Sequence, residues 1–258
     1  MATPLSSTTK TQLVWAYSCY GFIGVFGIAF VVLAGFFPPP SPTVDAEHIA
    51  ALIRANAGSI RIGMAVGIAA SALLLPWGAA VAAQIKRIER GQSMLTYTWV
   101  SANAILTLLF IYCCLWWAVA AFRPESSPQV IQSFNDMAWL GFLAIISTAL
   151  VQCAVLAVAT FQDRGPDPVY PRWFGYFQVW CLLLFTPDLF VICFKQGPLA
   201  WNGILSFWVV VTAALVWLVV TTHMTARAIK RQPAVAEERE LTDRLAAVER
   251  ALAVRGLT

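Results

Sequence analysis

The sequence predicts an all-α membrane protein built as a bundle of six transmembrane helices, and three observations predict it. Hydrophobic residues make up 59% of the 258 residues and charged residues only 12%, whereas about 25% of a soluble domain is charged. The mean hydropathy is +0.71. Long charge-free runs recur, each sufficient for the roughly 20 helical residues that cross a bilayer. These runs are residues 11–44, 62–85, 91–122, 137–162 and 196–226, and residues 173–194 are interrupted only by Asp188.

The runs are interpreted as helices because they lack the alternation of barrel strands, and because a helix satisfies its own backbone hydrogen bonds in lipid. The predicted helices are residues 12–36, 62–86, 97–121, 137–161, 173–194 and 203–226, within a membrane domain of residues 12–231. Residues 1–11 form a polar segment without the features of a cleaved signal peptide, so the first helix is expected to be retained.

The loop lysines and arginines predict the orientation, since they are enriched on the cytoplasmic side. With the N-terminus inside, the inside set is Lys10, Lys86, Arg87, Arg90, Arg164, Arg172, Arg227, Lys230 and Arg231, and the outside set is Arg54, Arg61, Arg123 and Lys195. We therefore expect both termini in the cytoplasm and a multi-pass protein of the bacterial inner membrane, with the lipid bilayer as its partner.

Two segments outside the bundle are also predicted to be helical. Prolines 38–40 end the first helix, and Thr43 is the expected N-cap of an interfacial helix at about 44–56 on the outer surface. The tail, residues 232–258, repeats Leu241, Leu245, Val248 and Leu252 at the spacing of a coiled coil. This tail predicts either a homo-oligomer or an amphipathic helix on the inner membrane face.

Small residues and proline predict local features of the second helix. Gly63 and Gly67 form a GxxxG pattern, which permits the close approach of a neighbouring helix. Pro76 should kink the same helix, because it lacks an amide hydrogen.

Asp188 is the one carboxylate predicted to lie well inside a span. It is about six residues, or roughly 9 Å, from the outer end of the fifth helix. An α-helical period places it on an apolar face, and desolvation there favours the neutral acid. The members of this face are Phe177, Cys181, Phe185 and Ile192.

Pro187 precedes Asp188 and lacks an amide hydrogen, so one backbone carbonyl of the helix loses its hydrogen bond. Inside a membrane such a break is tolerated where protein or water supplies another hydrogen bond to that carbonyl. Because intramembrane ionisable residues are functional hypotheses by default, the pair predicts a hydrated pocket open to the outside. The alternative is a kink whose carboxylate bonds Ser206 or Tyr112 of a neighbouring helix.

Other polar residues fall at the same predicted end of the bundle. Each one alone is explained by its place near a span end, where polar groups reach water easily. Together they predict an outward-facing polar pocket, in which Arg61 pairs with Asp136 or Asp188. The candidate ligand-binding residues are Asp188, Arg61, Asp136, Asn135, Arg123, Asn202 and Trp116.

Several classes of site have no support in the sequence. There is no phosphate-binding glycine loop, GxSxG or HExxH pattern, and the six cysteines lack metal-ligand spacing. We expect no metal, no cofactor and no nucleic-acid partner.

The blocks SIRIGM, SFNDMAWLG, YPRWFGYFQVW and KQGPLAWNGILSFW resemble a family of small polytopic membrane proteins of bacteria, mainly actinobacteria and proteobacteria. The matching blocks extend from the second helix to the sixth. The family is uncharacterised, so the resemblance implies a membrane bundle and assigns no activity and no functional residue.

Three functions remain open at this point. The first is binding or passing a small lipophilic or amphipathic molecule through the polar pocket. The second is a membrane-embedded enzyme that acts on a lipid-soluble substrate, with Asp188 as general acid and Tyr112 or Asp136 as the second catalytic group. The third is an assembly subunit of a larger membrane complex, which would use the C-terminal helix.

Overall fold

The computed structural model of the protein describes residues 7–89, 91 and 93–254, and it describes side chains up to residue 232. Within these residues all regular secondary structure is helical, and there is no strand. Six helices are long and apolar enough to cross a membrane. The predicted all-α fold with six membrane-spanning helices is therefore confirmed, consistent with an integral, multi-pass membrane protein.

The six helices, termed spans 1 to 6, overlap the predicted positions, although span 4 begins at Pro128 and not at residue 137. They are Ser7–Leu33, Ala57–Glu89, Met94–Phe122, Pro128–Gln162, Arg172–Cys193 and Ile204–Gln232. The first span begins at Ser7 and not at residue 12, so part of the predicted N-terminal segment belongs to the helix; residues 1–6 lie outside the described residues.

The helix of span 6 continues beyond the membrane domain, because one unbroken α-helix covers Val210–Val254. The side chains of 233–254, and residues 255–258 altogether, lie outside the described part. The coiled coil and the homo-oligomer predicted for this tail therefore stay predictions.

The two ends of the bundle carry different sets of connections. At one end Leu13 and Ala16 of span 1 pack with Ala226 and Ile229 of span 6, so the beginning of the first span and the end of the last lie together. This is termed the terminal end. At the opposite end, termed the loop end, the Trp201 indole N–H donates to the carbonyl oxygen of Pro40 at 2.7 Å. Which end faces the cytoplasm stays a prediction.

Five of the six spans depart from continuous α-helix, and span 3 (Met94–Phe122) does not. Span 1 passes from an α-helix, Ser7–Gly27, to a π-helix, Ile28–Leu33, and span 6 begins with a π-helix, Ile204–Val209. Span 5 passes from an α-helix, Arg172–Phe185, to a 3-10 helix, Thr186–Cys193. Span 2 consists of Ala57–Ser71 and Leu74–Glu89, and span 4 of Pro128–Ala144 and Ser147–Gln162.

The break in span 2 follows from Pro76. An amide at this position would bond the carbonyl oxygen of Ala72, four residues earlier, and proline lacks that hydrogen. The carbonyl oxygen of Ala72 accepts instead from the N–H of Leu75 at 3.1 Å. The α-helix is therefore interrupted at residues 72–73, one turn before the proline, where the kink was predicted.

Glycine brings span 2 close to its neighbours, as the GxxxG pattern predicted. A Cβ on Gly63 would lie 2.8 Å from the carbonyl oxygen of Ala29 in span 1, and one on Gly67 would lie 2.9 Å from the Sγ of Cys114 in span 3. A larger residue at either position would force the helices apart.

A short helix, Ala46–Ala55, lies at the loop end and is termed the outer helix. Its N-cap is Asp45, whose carboxylate accepts from the N–H of His48 at 2.8 Å, so the expectation that Thr43 caps it is wrong. Aspartate is the stronger cap of the two residues. Arg54 near its end donates to the carbonyl oxygens of Pro124 and Ser126 at 2.7 and 2.9 Å. These contacts tie the outer helix to the loop between spans 3 and 4.

The half of the bundle next to the loop end, termed the loop half, has an aromatic core. Phe30, on the π-helix of span 1, contacts the rings of Phe36, Trp117, Trp139 and Phe142 with centroid distances of 5.6, 5.5, 5.9 and 5.5 Å. Aromatic pairs at such distances add to the stabilisation from buried area. Two members of this cluster, Phe30 and Phe142, also line the cavity described next.

Candidate functional site

A cavity of about 260 Å³ lies inside the loop half of the bundle, between spans 1, 3, 4, 5 and 6. Its wall is apolar and largely aromatic. Its phenylalanines are Phe22, Phe26, Phe30, Phe37, Phe110, Phe142, Phe185 and Phe207. Ligand sites of small molecules are typically such apolar hollows with a few polar groups that fix orientation.

Asp188 is the one charged residue among those that line the cavity. Its side chain is 0% exposed, and neither carboxylate oxygen has a hydrogen-bond partner. The Ser206 hydroxyl lies within reach of the carboxylate, as the alternative of a structural pair predicted, but its geometry favours donation to the carbonyl oxygen of Leu199 at 3.1 Å. The buried acid therefore has unused hydrogen-bonding capacity, which is costly unless something in the cavity uses it.

The local helix geometry explains why Asp188 is buried. Span 5 tightens to a 3-10 helix at Thr186, next to Pro187, and a 3-10 helix places every third residue on one face. Phe185, Asp188 and Val191 follow this period and are 1%, 0% and 1% exposed.

The same geometry corrects the predicted face of Asp188. The α-helical period placed Ile192 beside it, but Ile192 is 65% exposed. The period of 3.6 residues fails where the helix tightens, and Val191 takes the buried position in place of Ile192.

Four irregular segments of the bundle meet at this cavity. The π-helix of span 1 contributes Phe30, the break in span 4 contributes Ile145, the 3-10 helix contributes Asp188, and the π-helix of span 6 contributes Phe207. Irregular backbone at membrane depth is tolerated where it is buried in protein or lines a cavity, and π-turns inside helices are frequent at functional sites.

The cavity is not sealed from the sides of the bundle. Val31 of span 1, Ile145 of span 4 and Leu215 of span 6 line it and are also exposed. Gly27 lines it as well, and a Cβ at Gly27 would meet no atom within 4 Å. Exposed apolar residues of a membrane-spanning helix face lipid, so the lining of the cavity reaches the lipid-facing surface of the bundle. This cavity is apolar with one acid, and the polar pocket expected at the loop end stays a prediction.

The other predicted site residues do not line this cavity. Arg61 and Arg123 are exposed, Asp136, Trp116 and Asn202 are half-buried, and Asn135 is buried. The expected ion pair of Arg61 with Asp136 or Asp188 is not formed. In the described part of the chain the one ion pair joins Arg231 Nη2 to Asp167 Oδ1 at 3.8 Å, at the terminal end.

Two of the remaining candidates have other surroundings. Asn135 borders a second hollow of about 320 Å³ beneath the outer helix and prolines 38–40. Tyr112 is 46% exposed and stacks on Trp116, with ring centroids 6.4 Å apart, so it is not the partner of Asp188.

Sequence reasoning missed the aromatic lining and a buried indole. Phe22, Phe26 and Phe30 recur every fourth residue on one face of span 1, a spacing that could have indicated a continuous aromatic wall. Trp217 also lines the cavity, and its N–H donates to Oε1 of Gln178 at 2.7 Å. Its polar atom is thus engaged away from the cavity, and its ring adds aromatic surface.

The cysteines and the other residue types that bind metals form no separate site in the described part of the chain. Among the described residues no group of three or more His, Cys, Asp or Glu side chains stands ready to hold a metal ion. Five cysteines are buried, and Cys193, at the end of the 3-10 helix, is exposed.

Comparisons with known proteins were made for the whole chain. No protein-family model matches it, and neither the curated proteins nor the solved structures include a match. The resemblance to a family of bacterial membrane proteins therefore stays a prediction.

Proposed function

We propose that the protein binds a small lipophilic molecule in the cavity between spans 1, 3, 4, 5 and 6, with the one polar group of that molecule against Asp188. The main observation in support of this proposal is the fully buried Asp188 carboxyl group, whose two oxygens lack hydrogen-bond partners on an otherwise apolar wall. A group buried without partners costs about 1–3 kcal/mol, and a ligand that hydrogen bonds to it recovers part of that cost.

The ligand enters from the lipid. The exposed lining residues Val31, Ile145 and Leu215 belong to three different spans, and the wall offers a lipophilic tail only apolar contacts. In a bacterial inner membrane with both termini in the cytoplasm, as the distribution of lysine and arginine supports, the cavity opens in the outer half of the bilayer.

The binding function is favoured over the enzymatic one by a specific observation. General acid catalysis on a lipid-soluble substrate normally needs a second polar group near the acid. Tyr112 and Asp136, the two residues considered for that role, lie away from the cavity. Asp188 therefore supports recognition of a polar group better than it supports turnover.

Photolabelling tests the binding function directly. The probe is 3-azioctanol, an eight-carbon alcohol with a photoreactive diazirine, added to the protein in lipid nanodiscs, with adducts mapped by mass spectrometry. We expect adducts on cavity residues, and we expect Ala149→Leu to abolish them. Ala149 is buried on the cavity wall, so the larger side chain fills the space.

The matched control is Ala104→Leu, the same substitution on the exposed face of span 3. It should leave the cavity adducts unchanged. Adducts spread over the lipid-facing residues, with equal yield in wild type and Ala149→Leu, would show that the cavity holds no ligand.

A further inference from the structure

We infer that the polar group of the ligand is a protonated amine, so that the ligand is a lipophilic cation and Asp188 is its counter-ion. This inference rests on the proposed function and specifies its ligand. It is carried by the charges around the cavity, by the aromatic wall and by the route to lipid.

The first observation is a missing cation. No Lys, Arg or His is among the residues that line the cavity, and neither Asp188 oxygen has a protein partner. Burial without a partner charge favours the neutral form of Asp188, and the ionised form needs a partner charge with good hydrogen bonds inside the bundle. A ligand ammonium supplies both the positive charge and the N–H donors that the protein does not.

The second observation is the aromatic surroundings of the acid. Phe185, Phe207 and Trp217 line the cavity with Asp188 and are 1%, 2% and 2% exposed. Aromatic faces carry partial negative charge and attract ammonium groups within about 6 Å, tryptophan most strongly. Because the Trp217 N–H is already bound to Gln178, this residue contributes aromatic surface to the cavity lining and not a hydrogen-bond donor. Acid and rings thus favour the same ligand charge.

The third observation concerns the rest of the ligand. Beyond Asp188 the wall offers no group for an anion or for a second polar substituent, and the exposed lining residues Val31 and Leu215 lead to lipid. The fitting ligand is therefore an alkyl or aryl amine with one charged end and an apolar body. A zwitterion would leave its anionic group unpartnered in the cavity.

Three probes with one skeleton separate the charge from the shape. N,N-Dimethyloctylamine is protonated at neutral pH, decan-2-one presents a neutral carbonyl acceptor, and 2-methyldecane presents neither. Each probe competes with 3-azioctanol photolabelling of the protein in nanodiscs. Its concentration is expressed as mole fraction in the bilayer, after partitioning has been measured on protein-free nanodiscs.

We expect the amine to compete at least about tenfold more strongly than the ketone or the alkane, the smallest effect expected of a charge-assisted hydrogen bond. Asp188→Asn should abolish this preference. Asp136→Asn, which changes a half-buried acid that does not line the cavity, should leave it unchanged. The comparison of the three probes on the wild-type protein stands even where Asp188→Asn does not fold.

Each contrary outcome has a separate meaning. A ketone that competes as well as the amine would overturn the amine inference, while the proposed binding function would survive with Asp188 as a neutral donor. An amine preference that persists in folded Asp188→Asn would overturn the role of Asp188 as counter-ion. If 3-azioctanol itself leaves no cavity adducts, the proposed function fails, and the inference fails with it.

Discussion

Replacing Asp188 by leucine should stabilise the ligand-free protein, although it removes the residue on which the proposed function depends. In the folded bundle the Asp188 side chain is 0% exposed and both of its oxygens lack a partner. Leucine has no polar atom to satisfy, and position 188 lies on the lining of a cavity of about 260 Å³. We therefore expect the substitution to remove the cost of the buried acid and the larger side chain to be accommodated at the cavity.

The expected size of the effect follows from the unpartnered oxygens. Leaving a buried acceptor unsatisfied costs about 1–3 kcal/mol, and more where the group is charged. Part of this cost persists in the unfolded chain, because the segment remains in the lipid or detergent. We therefore expect the free energy of unfolding to rise by about 1–3 kcal/mol, measured on ligand-free protein in one detergent.

Asp163→Leu provides the opposite case as a control. The Asp163 carboxylate accepts from the N–H groups of Val169 and Gly165 at 2.7 and 3.4 Å. Its removal should lower the free energy of unfolding by about 1–3 kcal/mol, since hydrogen bonds to a charged group are lost. If Asp188→Leu destabilises the protein to the same extent, the carboxylate has a structural partner, and the argument for a ligand site loses its main observation.

Three further substitutions test the packing and the capping of the bundle. Gly78→Ala should destabilise by about 1–3 kcal/mol, because the new Cβ would overlap the side-chain amide of Asn103. Thermal unfolding measures this loss. Glu89→Ala should cost about 1–2 kcal/mol of unfolding free energy, because its carboxylate accepts from the N–H and hydroxyl of Thr96 at 3.0 and 2.6 Å. Arg54→Ala removes two hydrogen bonds of 2.7 and 2.9 Å and should accelerate hydrogen exchange in the outer helix, with little effect on the spans.

Each of these substitutions has a control of the same chemistry. A Cβ on Gly24 would meet no atom within 4 Å, so Gly24→Ala should not destabilise. Glu125→Ala and Arg61→Ala change exposed residues and should change stability by less than about 0.5 kcal/mol. Equal effects in a variant and its control would show that the named contact does not hold that part of the bundle.

The spans could be predicted because their cause is local. A run of 20 or so apolar residues without charge is sufficient to specify a membrane helix, and Pro76 and the glycines Gly63 and Gly67 act through their own backbones. For these features the sequence alone contains the physical reason, namely a missing amide hydrogen or a missing Cβ.

The cavity could not be predicted, because its lining depends on how each helix is rotated about its axis. Asp188 was identified from its charge alone, but its neighbours were assigned with an α-helical period that the 3-10 helix does not follow, so Ile192 was placed inside and Val191 was overlooked. The π-helices of spans 1 and 6 carry no proline and leave no comparable signal in the sequence.

The polar residues at the loop end were grouped by depth, and depth is a weak criterion. Arg61 and Arg123 lie near span ends and are exposed, as charged side chains that turn towards water are, whereas Asp136 lies further inside span 4 and is half-buried. A common depth therefore places residues in one layer of the bundle without bringing them into one site.

Cys193 gives the protein a thiol reporter of its own. It is the exposed one of six cysteines, so a membrane-impermeant maleimide should modify this position without any cysteine being removed. Because Cys193 closes the 3-10 helix that carries Asp188, a fluorophore attached there would respond to rearrangement of that segment. Modification of Cys193 on intact cells would also establish that the loop end faces outward.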